Sequence, residues 1–176
     1  PNEKAEFIAT NKFLFRKELK KNRVITPFFK IIELDKIKKF KLSNKQTYIC
    51  KPLNLSGSRG IFIFNKKKQL LKNIKKNNFY YQDQKKVLIE EFLKGQMFSI
   101  EGFFNKDNFF PICINKNFKE LNYSLSNKSI LINYKNKKIL DNAKKLTEKC
   151  CKILGVKNAL IHFEFIVQNN TKKLYP

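Results

Sequence analysis

The chain has 176 residues, 42% of them apolar with 18 phenylalanines, which is enough for one ordinary domain or for two small lobes that share a site. No apolar run approaches the length of a membrane span and no signal-peptide pattern opens the chain, so we expect no membrane partner. The net charge of +24 comes from scattered lysines, with Arg16, Arg23 and Arg59 the only arginines, which argues against a specific nucleic-acid site built on clustered arginine.

Apolar periodicity predicts an α+β chain in which helices alternate with short strands. The first half is typical of a helix over residues 3–22 with Thr10 as a cap, a strand over 28–32, a short helix over 34–40, strands over 48–51 and 61–64, and a helix over 66–77. The second half predicts a strand from residue 87, strands over 97–104 and 109–114, a mobile loop over 115–128, a helix over 139–154 and a strand over 159–167.

The turn at residues 54–60 consists mostly of small residues that can point several backbone N–H groups at one place. Its glycines can take positive φ, its serines add hydroxyl donors, and such a concave array suits phosphate oxygens. The turn matches neither the mononucleotide loop that ends in Gly-Lys-Ser or Gly-Lys-Thr nor a dinucleotide fingerprint, so an ordinary hairpin with a polar tip stays an equal alternative. The candidate anion-binding residues are Lys51, Ser56, Gly57, Ser58, Arg59 and Gly60.

Alternation in the last predicted strand places His162 and Glu164 on one face. Because an unpaired carboxylate inside an otherwise apolar run is costly, Glu164 predicts a metal or a cation as its partner. His162, taken alone, is more typical of a structural histidine than of a ligand or base.

The four cysteines form no CxxC pair and have no histidine partner at zinc spacing. The adjacent Cys150 and Cys151 lie in a helical pattern and are most simply packing residues, and the cysteine pattern predicts a reducing, cytoplasmic compartment. The four cysteines are Cys50, Cys113, Cys150 and Cys151.

Six segments, taken together and in this order, resemble the ATP-grasp superfamily over nearly the whole chain. They are Asn11-Lys12, Val24-Ile-Thr-Pro27, Lys51-Pro52 with its Ser/Gly loop, Ile89-Glu-Glu-Phe-Leu-Lys-Gly95, Phe98-Ser-Ile-Glu-Gly102 and Ile161-His-Phe-Glu164. The resemblance implies an α+β fold of two lobes, each with an antiparallel sheet and helices, and an ATP site between them. It implies an N-terminal region at residues 1–44, a small ATP-covering lobe at 45–94 and a larger, C-terminally incomplete sheet lobe at 95–176.

The resemblance also implies a role for each matching residue. Lys12 and Lys51 match the lysines that bind ATP phosphates, and the Ser56–Gly60 loop, with Arg59 as a catalytic group, matches the lid over the β- and γ-phosphates. Glu90, Glu91, Phe92 and Leu93 match the hinge that meets adenine, and Glu164 matches the first of two acidic ligands of Mg²⁺. The implied cofactors are therefore ATP and Mg²⁺.

The chain departs from the family pattern in two places. Where many relatives carry a glutamate that binds the ribose, this chain has Met97, and Glu101 lies on the same strand face as the alternative ribose contact. The second metal carboxylate of relatives falls on the strand after Glu164, which would begin near Leu174, so we expect it beyond Pro176. Both ends of the sequence look cut, so we expect an active parent protein and an inactive isolated segment.

The implied reaction is carboxylate activation: ATP phosphorylates a carboxylate, and an amine or similar nucleophile displaces the acyl phosphate. The implied partners are small-molecule carboxylate and amine substrates, and the oligomeric state stays open. No Ser, Cys or His nucleophile constellation competes with this interpretation. Two alternatives stay open, a catalytically inactive nucleotide-binding module or remnant and a basic nucleic-acid-binding domain.

Overall fold

Two antiparallel sheets organise the part of the chain that the computed structural model describes, namely residues 3–43, 46–53, 55, 57–119, 127–131 and 137–176. The helices are α1 (Glu3–Thr10), α2 (Lys12–Lys21), α3 (Lys67–Lys76), α4 (Asn78–Tyr81) and α5 (Lys137–Leu154), with one 3-10 turn at Ile37–Lys39. The strands are β1 (Phe29–Glu33), β2 (Tyr48–Pro52), β3 (Phe62–Phe64), β4 (Lys86–Glu91), β5 (Gly95–Asn105), β6 (Asn108–Lys119), β7 (Asn127–Leu131), β8 (Ala159–Gln168) and β9 (Leu174–Tyr175).

The small sheet has the strand order β1-β4-β2-β3, and the predicted strand pair on either side of the turn is its β2–β3 hairpin. Tyr48 and Phe64 face each other across this hairpin with stacked rings 5.7 Å apart. Leu70 of α3 and Tyr81 of α4 are buried in the same core, so these helices cover one face of the sheet. Burial of this aromatic cluster is the main stabilising contribution to this half of the molecule.

The large sheet has the strand order β7-β6-β5-β8-β9 and is covered on one face by α5. Alternation along β5 and β8 sends Phe98, Ile100 and Phe165 toward that helix, where Phe98 and Phe165 stack at 5.6 Å. Ala143 and Cys150 complete the core from the helix side, as the apolar stripe of residues 139–154 predicts. The opposite face of β5 and β8 therefore stays available for a site.

The prediction of one helix over residues 3–22 with Thr10 as its cap is wrong. The helix breaks at Asn11, whose extended backbone (ψ 105°) lets its side chain accept hydrogen bonds from the N–H groups of Phe13 and Leu14. Thr10 instead donates its hydroxyl back to carbonyls of its own helix. Asparagine is among the strongest N-cap residues, so the local side-chain bond ends one helix and begins the next.

The prediction of a mobile loop over residues 115–128 is also wrong in part. Strand β6 continues through Lys119, and Asn127–Leu131 pairs with it antiparallel, while residues 120–126 lie outside the described part. Pairing with β5 on one side and β7 on the other keeps this polar segment extended against its low intrinsic strand propensity. The predicted helix over 34–40 is only the 3-10 turn at Ile37–Lys39, and α4 was not predicted.

No helix within the described ranges combines the length and the apolar character needed to cross a bilayer.

Candidate functional site

A cavity of about 1090 Å³ lies between the two sheets. Its walls come from α2, the β2–β3 hairpin, the segment after β4, and the open faces of β5 and β8. The residues of predicted function that line it are Lys12, Lys51, Gly57, Ser58, Glu90, Glu91, Phe92, Leu93 and Glu164. The fold thus brings together residues separated by up to 152 positions in the sequence, from Lys12 to Glu164.

One corner of the cavity is basic, and three cations there surround a single carboxylate. Glu90, with 2% of its side chain exposed, accepts from Arg16 Nε through Oε1 at 2.5 Å and from Lys51 Nζ through Oε2. The third cation, Lys12, donates Nζ to the carbonyl of Leu55 in the turn. The corner therefore carries two net positive charges, which suits a polyanionic ligand.

Burial alone would raise the pKa of the Glu90 carboxyl, but the charges of Lys51 and Arg16 and their hydrogen bonds outweigh it and lower the pKa to about 2. The pKa of Lys12 is lowered, first by burial and then by the charge of Lys51. The corner therefore holds a carboxylate that stays ionised, and an anionic ligand beside Lys12 would offset the burial and repulsion that act on its ammonium group.

The shifted pKa of Glu90 makes the stability of the fold depend on pH. Because the pKa is depressed on folding, the stabilisation is present above the unfolded pKa near 4.5 and is lost as the pH falls toward 2. We expect Glu90→Gln to lower the free energy of unfolding by about 3 kcal/mol at pH 7 and by little near pH 2. Urea unfolding of both proteins at pH 7, 4 and 2.5 measures this, and a pH-independent difference would contradict it.

The segment after β4 offers a backbone edge beside apolar walls. The N–H groups of Glu91 and Phe92 are used by the carbonyls of Phe28 and Thr47, each at 2.9 Å. The N–H of Leu93 meets no acceptor among the described residues, while its side chain lines the cavity together with Met97 and Ile166. A flat, apolar ring with one hydrogen-bonding edge fits such a slot.

The turn residues divide into two groups. Gly57 and Ser58 line the cavity with positive φ of 65° and 57°. Gly60 is buried and does not line the cavity: Tyr81 donates its hydroxyl to the Gly60 carbonyl at 2.6 Å, and a Cβ on this glycine would meet Tyr80 Cβ at 2.8 Å. Arg59 is exposed and also lies outside the cavity wall, and Ser56 lies outside the described residues.

The acidic wall is formed by β8, where Glu164 and His162 are 53% and 62% exposed. The apolar run therefore does not bury the Glu164 carboxylate, because strand alternation turns this side chain out of the core and into the cavity. His162 Nε2 lies 4.0 Å from Glu164 Oε1. Strand β8 consequently presents the Glu164 carboxylate to the cavity that the basic corner also lines.

Glu101 is placed beside this wall and outside the cavity lining. Its carboxylate contacts His162 Nδ1 at 2.9 Å, and it accepts from Cys113 Sγ at 2.9 Å and from the Asn115 amide at 2.7 Å. Burial raises the pKa of Glu101, but hydrogen bonds from Cys113, Ser99 and His162 outweigh it and lower the pKa. Glu101 is thus fixed as an ionised partner of His162.

A magnesium ion at this site would have to be held largely by the phosphates of a bound small molecule, because the described part of the protein offers it few carboxylates. Within the described ranges no group of three or more His, Cys, Asp or Glu side chains could hold a metal ion. Mg²⁺ is, however, usually bound through one or two carboxylates together with substrate phosphates, and it retains several waters. The exposed carboxylate of Glu164 fits that pattern.

Sequence reasoning missed Arg16, which lines the cavity and contacts Glu90. Two signals were present. Arg16 is one of three arginines in a chain of 38 basic residues, and it follows Lys12 by four positions on the same helix, so both side chains lie on one helix face.

Solved structures that are similar to nearly the whole chain include three that are named as ligases. An L-amino acid ligase from Bacillus licheniformis matches 98% of the chain with a TM-score of 0.79 at 18% identity. A D-alanine–D-alanine ligase from Bacillus anthracis, complexed with ATP, matches 99% with a TM-score of 0.72 at 18% identity. The corresponding ligase from Coxiella burnetii matches 98% with a TM-score of 0.70 at 9% identity.

The family model for an ATP-grasp domain matches residues 9–161, and the chain belongs to the ATP-grasp family. This match and the two-sheet architecture confirm the family resemblance and the predicted α+β fold. The chain spans 40%, 55% and 47% of the lengths of the three ligase structures. Curated proteins give no match to the sequence.

Proposed function

We propose that the chain binds ATP in the cavity between its two sheets, as part of an ATP-dependent ligase that activates a carboxylate as an acyl phosphate for attack by an amine or similar nucleophile. The observation that carries the proposal is that one cavity is lined both by the basic corner of Lys12 and Lys51 and by the exposed carboxylate of Glu164. Cationic side chains stabilise the negative charge of a triphosphate, and a nearby carboxylate could hold the magnesium ion that accompanies it.

The phosphates would lie against Lys12, Lys51 and the backbone of Gly57 and Ser58. Positive φ at both turn residues supports a concave arrangement of N–H donors there. We propose that the whole turn, with Ser56, Arg59 and Gly60, closes over the terminal phosphates as a lid. Anchoring of Gly60 by Tyr81 makes Gly60 the fixed end of that lid and leaves Gly57 at its moving tip.

The adenine ring would lie in the slot beside Glu91, Phe92 and Leu93, where the N–H of Leu93 can donate to a ring nitrogen. Met97 stands where many relatives have the glutamate that binds the ribose. We propose Glu101 as the ribose contact of this chain, although its carboxylate also contacts His162. Glu164 would hold Mg²⁺, which when bound supplies charge neutralisation at the phosphates. The rest of the work, positioning the nucleotide and excluding water, falls to these cavity residues.

The substrates proposed here are a small-molecule carboxylate and a small-molecule amine. The structural relatives are named as an L-amino acid ligase and D-alanine–D-alanine ligases, which supports that substrate class. Because the chain spans only part of those proteins, we propose that turnover is a property of a longer protein and that residues 1–176 alone bind ATP without turnover. The free thiols Cys50, Cys113, Cys150 and Cys151 support the proposed cytoplasmic location.

Calorimetric titration separates ATP binding from nucleic-acid binding. We expect saturable binding of Mg²⁺-ATP at moderate salt, weaker binding of AMP because it lacks the phosphates that reach the basic corner, and only weak, salt-sensitive binding of a short DNA duplex. AMP is the matched control, since it keeps the base and sugar. Tight duplex binding with no response to ATP would overturn the proposed function.

A further inference from the structure

Arg16 connects three parts of the fold through one guanidinium group. It lies on α2, its Nε contacts Glu90 Oε1 on β4 at 2.5 Å, and its Nη1 donates to the carbonyl of Pro176. Strand β4 belongs to the small sheet, and Pro176 directly follows β9 at the edge of the large sheet. Arg16, with 14% of its side chain exposed, therefore bridges the two sheets in the lining of the cavity.

The carboxylate of Glu90 is divided between two cations, one oxygen to each. Arg16 takes Oε1, which leaves only Oε2 for Lys51. A guanidinium group is a rigid, always charged fork, so it can hold one carboxylate oxygen and the Pro176 carbonyl at once, whereas an ammonium group is a single point. Of the three donors on the Lys51 ammonium group, Glu90 uses one among the described contacts.

We propose that Arg16 is a positioning residue of the phosphate-binding corner. Because Arg16 binds one of the two Glu90 carboxylate oxygens, Glu90 neutralises Lys51 only in part, and the Lys51 ammonium group stays available to a ligand in the cavity. The inference rests on the proposed binding of ATP at this corner. Without Arg16, Glu90 would pair with Lys51 alone, and the corner would keep one net positive charge where it now has two. Arg16 acts through Glu90 and Lys51 and needs no contact with the nucleotide.

Charge restoration distinguishes this role from a purely structural one. Arg16→Gln removes one positive charge from the corner, whereas Arg16→Gln combined with Glu90→Gln removes both partners and returns the corner to the two charges of Lys12 and Lys51. A purely structural role predicts that ATP affinity and adenosine affinity change together, in the single and in the double variant. A positioning role predicts that the single variant loses affinity for ATP alone and that the double variant recovers it.

The test compares ATP with adenosine, which lacks the phosphates, by calorimetry and NMR titration of the whole protein and its variants. We expect Arg16→Gln to weaken ATP binding about tenfold while adenosine binding stays within about twofold, because Glu90 would then neutralise Lys51 and weaken its charge-assisted contact with a phosphate. The double variant is expected to recover ATP affinity to within about threefold of wild type. Arg16→Lys, which keeps the charge and loses the fork, is expected to lie between wild type and Arg16→Gln.

Several outcomes would overturn the inference. Equal loss for ATP and adenosine in Arg16→Gln, or no recovery in the double variant, makes Arg16 a structural residue only. If circular dichroism shows that Arg16→Gln is unfolded, Arg16→Lys decides, because an unchanged ratio of ATP to adenosine affinity in that variant overturns the inference. Failure of the wild-type chain to bind ATP overturns the proposed function itself, whereas ATP binding that is indifferent to Arg16 overturns only this inference.

Discussion

Glu164→Gln is expected to lower ATP-dependent turnover of the whole protein by on the order of 10²-fold or more while the fold is kept. The amide fills the same volume as the carboxylate, and the side chain is 53% exposed on the cavity wall, so little packing is lost. What is lost is the negative oxygen that would hold the metal against the phosphates. Release of ADP in the presence of carboxylate and amine substrates measures the effect.

A matched control and a second readout make this result specific. Asp141→Asn removes the same charge from an exposed position on α5, away from the cavity, and is expected to leave turnover unchanged. For ATP binding, Glu164→Gln is expected to reduce the gain in affinity that Mg²⁺ gives the wild type. If Glu164→Gln turns over ATP at the wild-type rate, Glu164 is not the metal ligand and the alignment of the last strand with the family is wrong.

Elements with strong periodicity were predictable from the sequence. The β2–β3 hairpin joins two short β-branched and aromatic runs across a turn, and α5 carries an apolar stripe through Ala143 and Cys150, so local pattern and tertiary burial agree. The strand β8 was predictable for the same reason. Its alternation also showed that His162 and Glu164 share a face, although the apolar composition of the run did not indicate that Glu164 is exposed.

Elements that depend on distant partners were not predictable from local pattern. Asn115 and its neighbours have low strand propensity, and they are extended because β5 and β7 pair with them on both sides. The break at Asn11 depends on two hydrogen bonds that its side chain accepts, from the N–H groups of Phe13 and Leu14, and the helix-forming composition of this segment does not reveal them.

The electrostatics of the site were the least accessible from sequence. Arg16 and Glu90 are 74 positions apart, and Lys51 and Glu90 are 39 apart, so no spacing rule connects them. The family resemblance assigned Lys51 to the phosphates and Glu90 to the hinge, with no contact between the two residues. The structure joins them through one buried carboxylate, and this contact decides how much positive charge the cavity presents.

Lys51→Gln is expected to weaken ATP binding by roughly 10- to 100-fold, because a charge-assisted hydrogen bond to a phosphate contributes about 1.5–3 kcal/mol. The fold should survive, since Arg16 still pairs with the buried Glu90 carboxylate when Lys51 is gone. Lys72→Gln, at an exposed position on α3, removes the same charge far from the cavity and controls for the overall charge of the chain. Calorimetric titration with Mg²⁺-ATP compares the two variants, and equal ATP affinity in both would contradict the placement of the phosphates at this corner.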